Sequence, residues 1–277
     1  MPFETQTTET MTTISELMSL KGRRAMITGA TGGLGKVIAE TLAELGADLV
    51  LVDRPGSDFQ SLAETLTQRW NIEIQHRYCD LEQQVQRTEL MEWLRASERG
   101  LNILINNAAF VGTSDLQGWA VPFEEQSIET WRRALEVNLV AVFSLCQGLA
   151  PMLRAVDGAS IINVASTYGV YGPDWSLYEG TNMSNPAAYG ASKGGLIQLT
   201  RWLATTLAPR VRVNAISPGG VFRNQPEAFV LRYEAKTPLK RMAMEDDFRG
   251  TVAHLASDLS KYVTGQNLLV DGGWGVW

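Results

Sequence analysis

The 277-residue chain contains only two cysteines, Cys79 and Cys146, and only two histidines, His76 and His254. Two cysteines this far apart argue against a disulfide framework and favour a reducing compartment. We therefore expect a cytoplasmic protein. Since no cluster of cysteine and histidine has the spacing of zinc ligands, we also expect no metal site.

Basic residues are outnumbered, with 24 Lys and Arg against 30 Asp and Glu and a net charge of −6. This balance argues against a nucleic-acid or anionic-membrane partner, because both attract clustered Lys and Arg. The chain also has no uninterrupted apolar run of the roughly 20 residues that a bilayer-spanning helix needs. Its richest apolar stretch, 137–149, contains Asn138, Ser144 and Gln147. We expect no membrane segment.

The first twenty residues are rich in Thr and lack the basic start and apolar core of a signal peptide. We predict that 1–20 is a mostly disordered leader. From residue 21 onward, short apolar runs alternate with helical patterns, which predicts parallel strands joined by right-handed crossovers. The predicted strands are 25–28, 48–52, 73–78, 102–105, 160–164, 212–216 and 267–270. The predicted helices begin near Leu34, Ser57, Glu82, Ser127, Pro186, Pro226 and Glu245. We therefore predict one doubly wound α/β domain with a mostly parallel sheet, a Rossmann fold, over 21–277.

A glycine-rich turn, Thr-Gly-Ala-Thr-Gly-Gly-Leu-Gly at 28–35, follows the first predicted strand. Glycines let the backbone approach a pyrophosphate, and the helix that follows offers free N–H groups. Asp53 ends the second predicted strand, where a carboxylate can bind the ribose hydroxyls and repel a 2′-phosphate. NAD is therefore favoured over NADP, although Arg54 could accept the phosphate. The glycine spacing fits two patterns, 29, 33, 35 and 29, 32, 35, and does not choose between them.

Tyr189 and Lys193 are four residues apart in a predicted helix, so they share one helix face. Asn185 is the expected N-cap and Pro186 the first helical residue. A nearby ammonium group lowers the pKa of a phenol, so the pair suits acid/base chemistry on an alcohol and carbonyl couple. Taken alone, such a pair is more often a surface feature.

These motifs, taken together and in this order, resemble the classical short-chain dehydrogenase/reductase family over 21–277. The further matching pieces are Asp80-Leu81, Asn106–Ala109, Asn138, Ser166 and Pro218-Gly219. The resemblance implies an NAD(P)-dependent oxidoreductase that interconverts a secondary alcohol and a ketone. It also implies the classical glycine spacing, with Gly33, and a homotetramer or homodimer.

The resemblance assigns a role to each matching residue. Tyr189 would exchange a proton with the substrate oxygen, Ser166 would donate a hydrogen bond to that oxygen, and Asn138 would hold a water that connects Lys193 to solvent. Lys193 would bind the nicotinamide ribose and lower the pKa of Tyr189. The implied cofactor-binding residues are Gly29, Thr31, Gly33, Leu34, Gly35, Asp53, Asp80, Leu81, Asn107, Ala108, Tyr189, Lys193, Pro218, Gly219 and Val221.

The chain also departs from the family pattern. Ala109 stands where Gly is usual, and Arg223 and Asn224 stand where a Thr is common. The segment between Ser166 and Tyr189 is about twice the usual length. Because its extra part, 171–184, begins and ends near catalytic residues, we expect it to overhang the substrate.

Aromatic and hydrogen-bonding side chains in 171–184 favour a polyhydroxylated ligand. This segment, with 217–226, resembles flagellin modification protein A, whose relatives serve pathways to nonulosonic or amino sugars. We therefore predict a sugar or nucleotide-linked sugar substrate, with Asn185 and Arg223 among its contacts and Arg223 facing a phosphate or carboxylate. A 3-oxoacyl thioester reductase and a non-catalytic dinucleotide-binding scaffold or sensor remain the alternatives.

Overall fold

A computed structural model describes residues 11–97, 99–112 and 114–277. Its seven strands are β1 (Arg24–Thr28), β2 (Asp48–Asp53), β3 (Ile74–Tyr78), β4 (Ile103–Asn106), β5 (Ala159–Val164), β6 (Val211–Pro218) and β7 (Asn267–Val270). They form one parallel sheet in the order β3-β2-β1-β4-β5-β6-β7. In its centre, Met26 of β1 is paired with Val50 of β2 on one side and Leu104 of β4 on the other. The predicted Rossmann fold is confirmed.

Helices connect the strands and cover both faces of the sheet. They are α1 (Ile14–Met18), α2 (Gly33–Glu44), α3 (Phe59–Arg69), α4 (Gln84–Ala96), α5 (Ile128–Leu135), α6 (Ala141–Arg154), α7 (Ala187–Leu207), α8 (Glu227–Lys236) and α9 (Arg249–Ala256). Alternate residues of β1 enter opposite cores, as in Ala25 and Ile27 against Met26. Helices α4, α6 and α7 pack on one face, and α2, α3 and α9 on the other. This two-sided cover explains why the strands read as continuous apolar runs.

Helices α5 and α6 are joined by a π-helical turn, Glu136–Val140, into one stretch, Ile128–Arg154. By length and composition this stretch could cross a membrane. Here it is a core helix of the α/β domain, since Leu145, Leu149 and Leu153 are fully buried against the sheet.

Residues 11–20, the described part of the predicted leader, contain a short helix before β1. Residues 1–10 of the predicted leader lie outside the described residues. In its remaining part, Thr13 and Glu16 form a reciprocal capping box that starts the five-residue α1. Leu20 is fully buried, in the core on the α2 side of the sheet.

Candidate active site

A cleft of about 880 Å³ opens at the carboxyl ends of the strands. In the sheet order, β2 and β3 are added on one side of β1, and β4 and the strands that follow are added on its other side. Ligands of doubly wound sheets bind at this type of switch point. All the predicted cofactor-binding residues line the cleft, and so do Ser166, Asn185 and Arg223. Of the predicted site residues, only Asn138 does not line it, because it is completely buried.

The glycine-rich turn forms the floor of one half of the cleft. Gly29 has φ +64°, and a Cβ there would stand 2.8 Å from the Cα of Ala108. A Cβ on Gly35 would overlap the carbonyl oxygen of Gly29. One on Gly32 would make only ordinary contact, whereas one on Gly33 would meet Arg223 and Glu245. The atoms near Gly33 are the ends of flexible side chains, so the space around the turn requires glycine at positions 29 and 35, which both spacings share, and the classical spacing with Gly33 stays a prediction.

Two polar side chains hold this turn in place. An Asp53 carboxylate oxygen accepts hydrogen bonds from the N–H of Thr31 at 2.9 Å and from its hydroxyl at 2.7 Å. The Asn107 amide donates to the carbonyl oxygens of Thr28 at 3.1 Å and of Gly29 at 2.9 Å. Helix α2 begins at Gly33 with no side-chain cap, which leaves its first N–H groups for a ligand. Close backbone approach, free N–H groups and a carboxylate at the end of β2 together fit a dinucleotide.

Tyr189 and Lys193 lie on α7, in the other half of the cleft. Lys193 is only 3% exposed, and its ammonium group donates to the carbonyl oxygen of Val164 at 2.6 Å. Burial lowers the pKa of Lys193 to about 7. Its Nζ lies 5.8 Å from the ring centre of Tyr189, so the two residues are neighbours, and the ammonium group makes its hydrogen bond to Val164.

The pKa of Tyr189 does not follow the expectation from the Tyr189/Lys193 spacing. It is raised, because burial outweighs the lowering effects of hydrogen bonding by Ser166 and of the Arg223 charge. A lysine whose own pKa is near 7 carries less charge at neutral pH than an ordinary lysine, which weakens its influence. The expected direction was therefore wrong for the protein as it stands, although the two groups are adjacent.

Ser166 follows β5 and is 4% exposed. It caps the short 3₁₀ helix Thr167–Gly169, where its hydroxyl oxygen accepts from the N–H of Tyr168 at 3.1 Å. This cap fixes the serine backbone beside the cleft, and its hydroxyl proton is left for the tyrosine or for a substrate oxygen.

Asn138 is buried beneath the site and connects its own π-helical turn with the loop after β4 and with α7. Its side-chain oxygen accepts from the N–H of Phe110 at 2.8 Å, and its amide donates to the Phe110 carbonyl at 3.1 Å and the Ser192 hydroxyl at 3.0 Å. The π-helical turn that carries Asn138 is a geometry often found at functional sites. Asn138 thus ties the loop after β4 to α7, and its predicted water-holding role stays a prediction.

The segment 171–184 borders the cleft through Tyr178, Asn182, Met183 and Ser184. The hydroxyls of Tyr168 and Tyr178 are 2.6 Å apart, and the Asn185 amide donates to that of Tyr178 at 3.4 Å. Asn185 is therefore not the N-cap that we expected. Pro186 occupies the cap position and α7 begins at Ala187, while the Asn185 side chain serves the tyrosine pair.

An aromatic wall, formed by Phe229, Tyr233 and Trp274, was not predicted from the sequence. Tyr233 stacks on Phe229 and on Trp274 with ring centres 6.0 and 5.9 Å apart, and all three residues line the cleft. Trp274 is 4% exposed, so this part of the aromatic C-terminus packs on its own chain. The tryptophans of the C-terminus were the available signal in the sequence, but nothing local indicated that Trp274 meets Phe229 and Tyr233.

Ion pairing joins the segment 171–184 to α8. Lys236 donates to the Asp174 carboxylate at 2.7 Å, and its Nζ lies 4.3 Å from the centre of the Trp274 ring. The pKa of Asp174 is lowered, first of all by its hydrogen bond from Lys236. These contacts connect the segment with the aromatic wall.

Arg223 lines the cleft, and its predicted contact with the substrate stays a prediction. Its guanidinium group lies against Gly33 of the glycine-rich turn and donates to the Glu245 carboxylate at 3.2 Å. Its charge still lowers the pKa of Tyr189. The position of the guanidinium nevertheless favours the cofactor half of the cleft over the predicted substrate contact.

Comparisons with known proteins agree with this geometry. Residues 29–275 match a family model described as enoyl-(acyl carrier protein) reductase. A probable galactose dehydrogenase of Rhizobium meliloti is 30% identical over 266 residues, which cover 94% of this chain and 97% of the relative. An uncharacterised short-chain type dehydrogenase/reductase of Sinorhizobium fredii is 33% identical over 91% of this chain, and the match spans 44% of that longer relative.

Among solved structures, a gluconate 5-dehydrogenase from Burkholderia cenocepacia in complex with NADP and tartrate superposes with a TM-score of 0.83 at 28% identity. The superposition covers 95% of this chain and 99% of that one. The motifs, the fold and these relatives together show that the chain belongs to the classical short-chain dehydrogenase/reductase family, whose members are NAD(P)-dependent oxidoreductases of CH–OH groups.

Proposed function

We propose that this protein interconverts a secondary alcohol and a ketone on a sugar-like substrate, with Tyr189 as the acid/base. The observation that carries the proposal is the meeting of Tyr189, Ser166 and Lys193 in one cleft with the glycine-rich turn. A bound nicotinamide dinucleotide supplies the hydride chemistry, and the protein supplies position and electrostatics.

Each catalytic side chain has a defined task in this proposal. In the reductive direction, the Tyr189 hydroxyl gives its proton to the carbonyl oxygen while the Ser166 hydroxyl donates a hydrogen bond to the same oxygen. The raised pKa of Tyr189 keeps the phenol protonated for this step. In the oxidative direction Tyr189 accepts the alcohol proton, and protonation of Lys193, whose pKa is about 7, stabilises the phenolate beside it. Asn138 keeps α7 in register with the loop after β4.

The wall of the substrate half supports a hydroxylated ligand. Tyr168, Tyr178 and Asn185 present hydroxyl and amide groups next to Tyr189, and aromatic rings provide flat apolar surfaces. Relatives described as acting on galactose and gluconate point to the same class of substrate. The narrower resemblance to flagellin modification protein A, with a nucleotide-linked sugar as substrate, stays a prediction.

We further propose NAD as the preferred coenzyme because of Asp53. Its carboxylate faces the glycine-rich turn through Thr31 and can accept the ribose hydroxyls, whereas a 2′-phosphate would meet a negative charge. The exposed Arg54 and a relative solved with NADP favour the alternative. Steady-state kinetics with both coenzymes test this: the wild type should prefer NAD, and Asp53→Ser should raise kcat/KM for NADP. A wild-type preference for NADP contradicts the assignment.

A thioester substrate is the second candidate, favoured by the description of the matching family model. Met183 and Phe229, which line the cleft, could contact an acyl chain. The two substrate classes share the same acid/base step, so the catalytic residues do not distinguish them. Turnover of acetoacetyl thioesters with no turnover of sugars would identify the protein as a thioester reductase.

The proposed reaction is tested by coenzyme absorbance at 340 nm with a panel of aldoses, aldonates, sugar phosphates and nucleotide sugars. We expect wild-type turnover of at least one polyhydroxylated substrate. Tyr189→Phe should lose at least about 10²-fold in kcat, the lower range for a general acid/base, while keeping its affinity for NADH. Tyr262→Phe, at a fully exposed tyrosine, serves as the matched control. Unchanged turnover by Tyr189→Phe refutes the mechanism, and NADH binding without turnover of any substrate supports the scaffold alternative.

We also propose a homo-oligomer. Large apolar side chains remain exposed along the α5–α7 region, among them Ile128, Val140, Phe143 and Trp202. Such surface is typical of subunit contacts. Light scattering during size exclusion should give a dimer or tetramer mass, and a monomer at micromolar concentration contradicts the proposal.

A further inference from the structure

A guanidinium and a carboxylate stand together at the start of α2. If Gly33 carried a Cβ, that atom would lie 2.7 Å from Nη2 of Arg223 and 3.0 Å from Oε1 of Glu245. Gly33 is the first residue of this 12-residue helix, and Gly32 before it provides no side-chain cap. The N–H groups and positive dipole end of such a helix bind anions. The two charged groups therefore border the anion-binding end of the glycine-rich turn.

Both groups reach this position from well-anchored backbone. The N–H of Arg223 donates to the Gln225 side chain at 2.7 Å, and the Gln225 amide donates back to the Val221 carbonyl at 2.8 Å. Glu245 begins a 3₁₀ helix, Glu245–Phe248, that is held by the buried ring of Phe248. The loop after β6 and the segment before α9 thus converge over the turn, one with a positive and one with a negative charge.

The ion pair between Arg223 and Glu245 contributes little stabilisation. One hydrogen bond of 3.2 Å joins them, and their side chains are 47% and 27% exposed. Exposed pairs with one contact contribute little, since water and salt screen them. An arginine forms much better contacts with a phosphate group, through two parallel N–H donors.

We propose that Arg223 binds the pyrophosphate of the dinucleotide, which replaces Glu245 as its partner. In the free protein, Glu245 holds the guanidinium over the turn and places a carboxylate oxygen near the anion site. When the pyrophosphate enters, Arg223 turns its donors to it, and Glu245 becomes a like-charged neighbour that opposes binding. Arg223 thus determines cofactor affinity, and Glu245 limits it.

This inference rests on the proposed placement of the dinucleotide at the glycine-rich turn, but not on the coenzyme form or on the substrate. It can be tested without turnover. Isothermal titration calorimetry with ADP-ribose, which contains the pyrophosphate, is compared with adenosine, which has none. Arg132→Gln, at a surface arginine with a 71% exposed side chain, is the matched control.

We expect Arg223→Gln to weaken ADP-ribose binding about tenfold or more, the usual effect of losing a charge-assisted hydrogen bond, and to leave adenosine affinity unchanged. Arg223→Lys should be intermediate, because it keeps the charge and loses the paired donors. Glu245→Gln should bind ADP-ribose more tightly than the wild type. Arg132→Gln should match the wild type.

Equal ADP-ribose affinity in the wild type and Arg223→Gln overturns the inference. If Arg223→Gln instead raises only the KM for anionic substrates, Arg223 contacts the substrate and not the cofactor. Weaker binding by Glu245→Gln also overturns it. A wild type that binds no ADP-ribose refutes the dinucleotide placement itself and with it the proposed function. If Arg223→Gln fails a melting check for folding, the comparison of Arg223→Lys with the wild type decides.

Discussion

Replacing Lys193 by Met should make the protein more stable and inactive. The ammonium group is 3% exposed, its hydrogen bond to Val164 links it to a neutral carbonyl, and burial lowers its pKa from 10.5 to about 7. At about 1.4 kcal/mol per tenfold change, this displacement means that charging Lys193 in the folded protein costs about 5 kcal/mol. Met has a similar length and no charge. The variant also loses the hydrogen bond to the Val164 carbonyl, and this loss offsets about 1–3 kcal/mol of the gain in stability. The variant should therefore gain about 2–4 kcal/mol at neutral or acidic pH.

The pH dependence distinguishes this cause from better packing. Between pH 7 and 10.5 the unfolded chain binds a proton at Lys193 that the folded chain does not, so wild-type stability from this group rises with pH. The penalty is complete below pH 7 and disappears as the pH rises through the unfolded value of 10.5.

Urea unfolding of the wild type and Lys193→Met at pH 6 and pH 10 measures this difference. The advantage of the variant should be full at pH 6 and absent or reversed at pH 10, where the cost of charging Lys193 has nearly vanished and the loss of the Val164 hydrogen bond remains. Lys261→Met, at an exposed lysine, should show no such change. A variant that is less stable than the wild type at pH 6, or one whose advantage is the same at both pH values, refutes the reasoning.

Two further variants test the turn and the substrate wall. Gly35→Ala should abolish NADH binding measured by fluorescence, because its Cβ would overlap the Gly29 carbonyl, whereas Gly250→Ala, with open space around it, should bind normally. Asp174→Asn should raise the KM for substrate several-fold with NADH affinity unchanged, since the ion pair with Lys236 holds the segment 171–184 against α8. The Asp174 pKa is lowered, so this pair contributes above the ordinary carboxyl value of 3.8 and is lost as the pH falls through the lower folded value. Asp157→Asn, at a fully exposed carboxylate, is the control, and equal KM values in the two variants would contradict this role.

Local features of the chain were enough to predict the strands, most of the helices and the cofactor end of the cleft. Short apolar runs become strands when both faces are covered, and residues 28–35 contain the glycines that a close phosphate approach requires. The carboxyl ends of parallel strands meet at one edge, so the sequence alone assigns Asp53 and Ser166 to the same cleft, and both line it. A helix beginning near Ser127 was predicted, and the helical stretch does begin at Ile128, but the π-helical turn that places Asn138 inward was not predicted, because no local pattern marks it.

Contacts between distant segments set the remaining properties of the site. The pKa of Tyr189 depends on burial, on Ser166 and on Arg223, so its spacing from Lys193 could not establish even the direction. The aromatic wall unites residues from α8 and the C-terminus, and Arg223 meets Gly33 only across the folded cleft. Desolvation and long-range charge are properties of the assembled interior, whereas periodicity and backbone freedom are properties of neighbouring residues. For this reason the type of reaction could be inferred from motifs, but the pKa values of the catalytic groups could be inferred only from the three-dimensional arrangement.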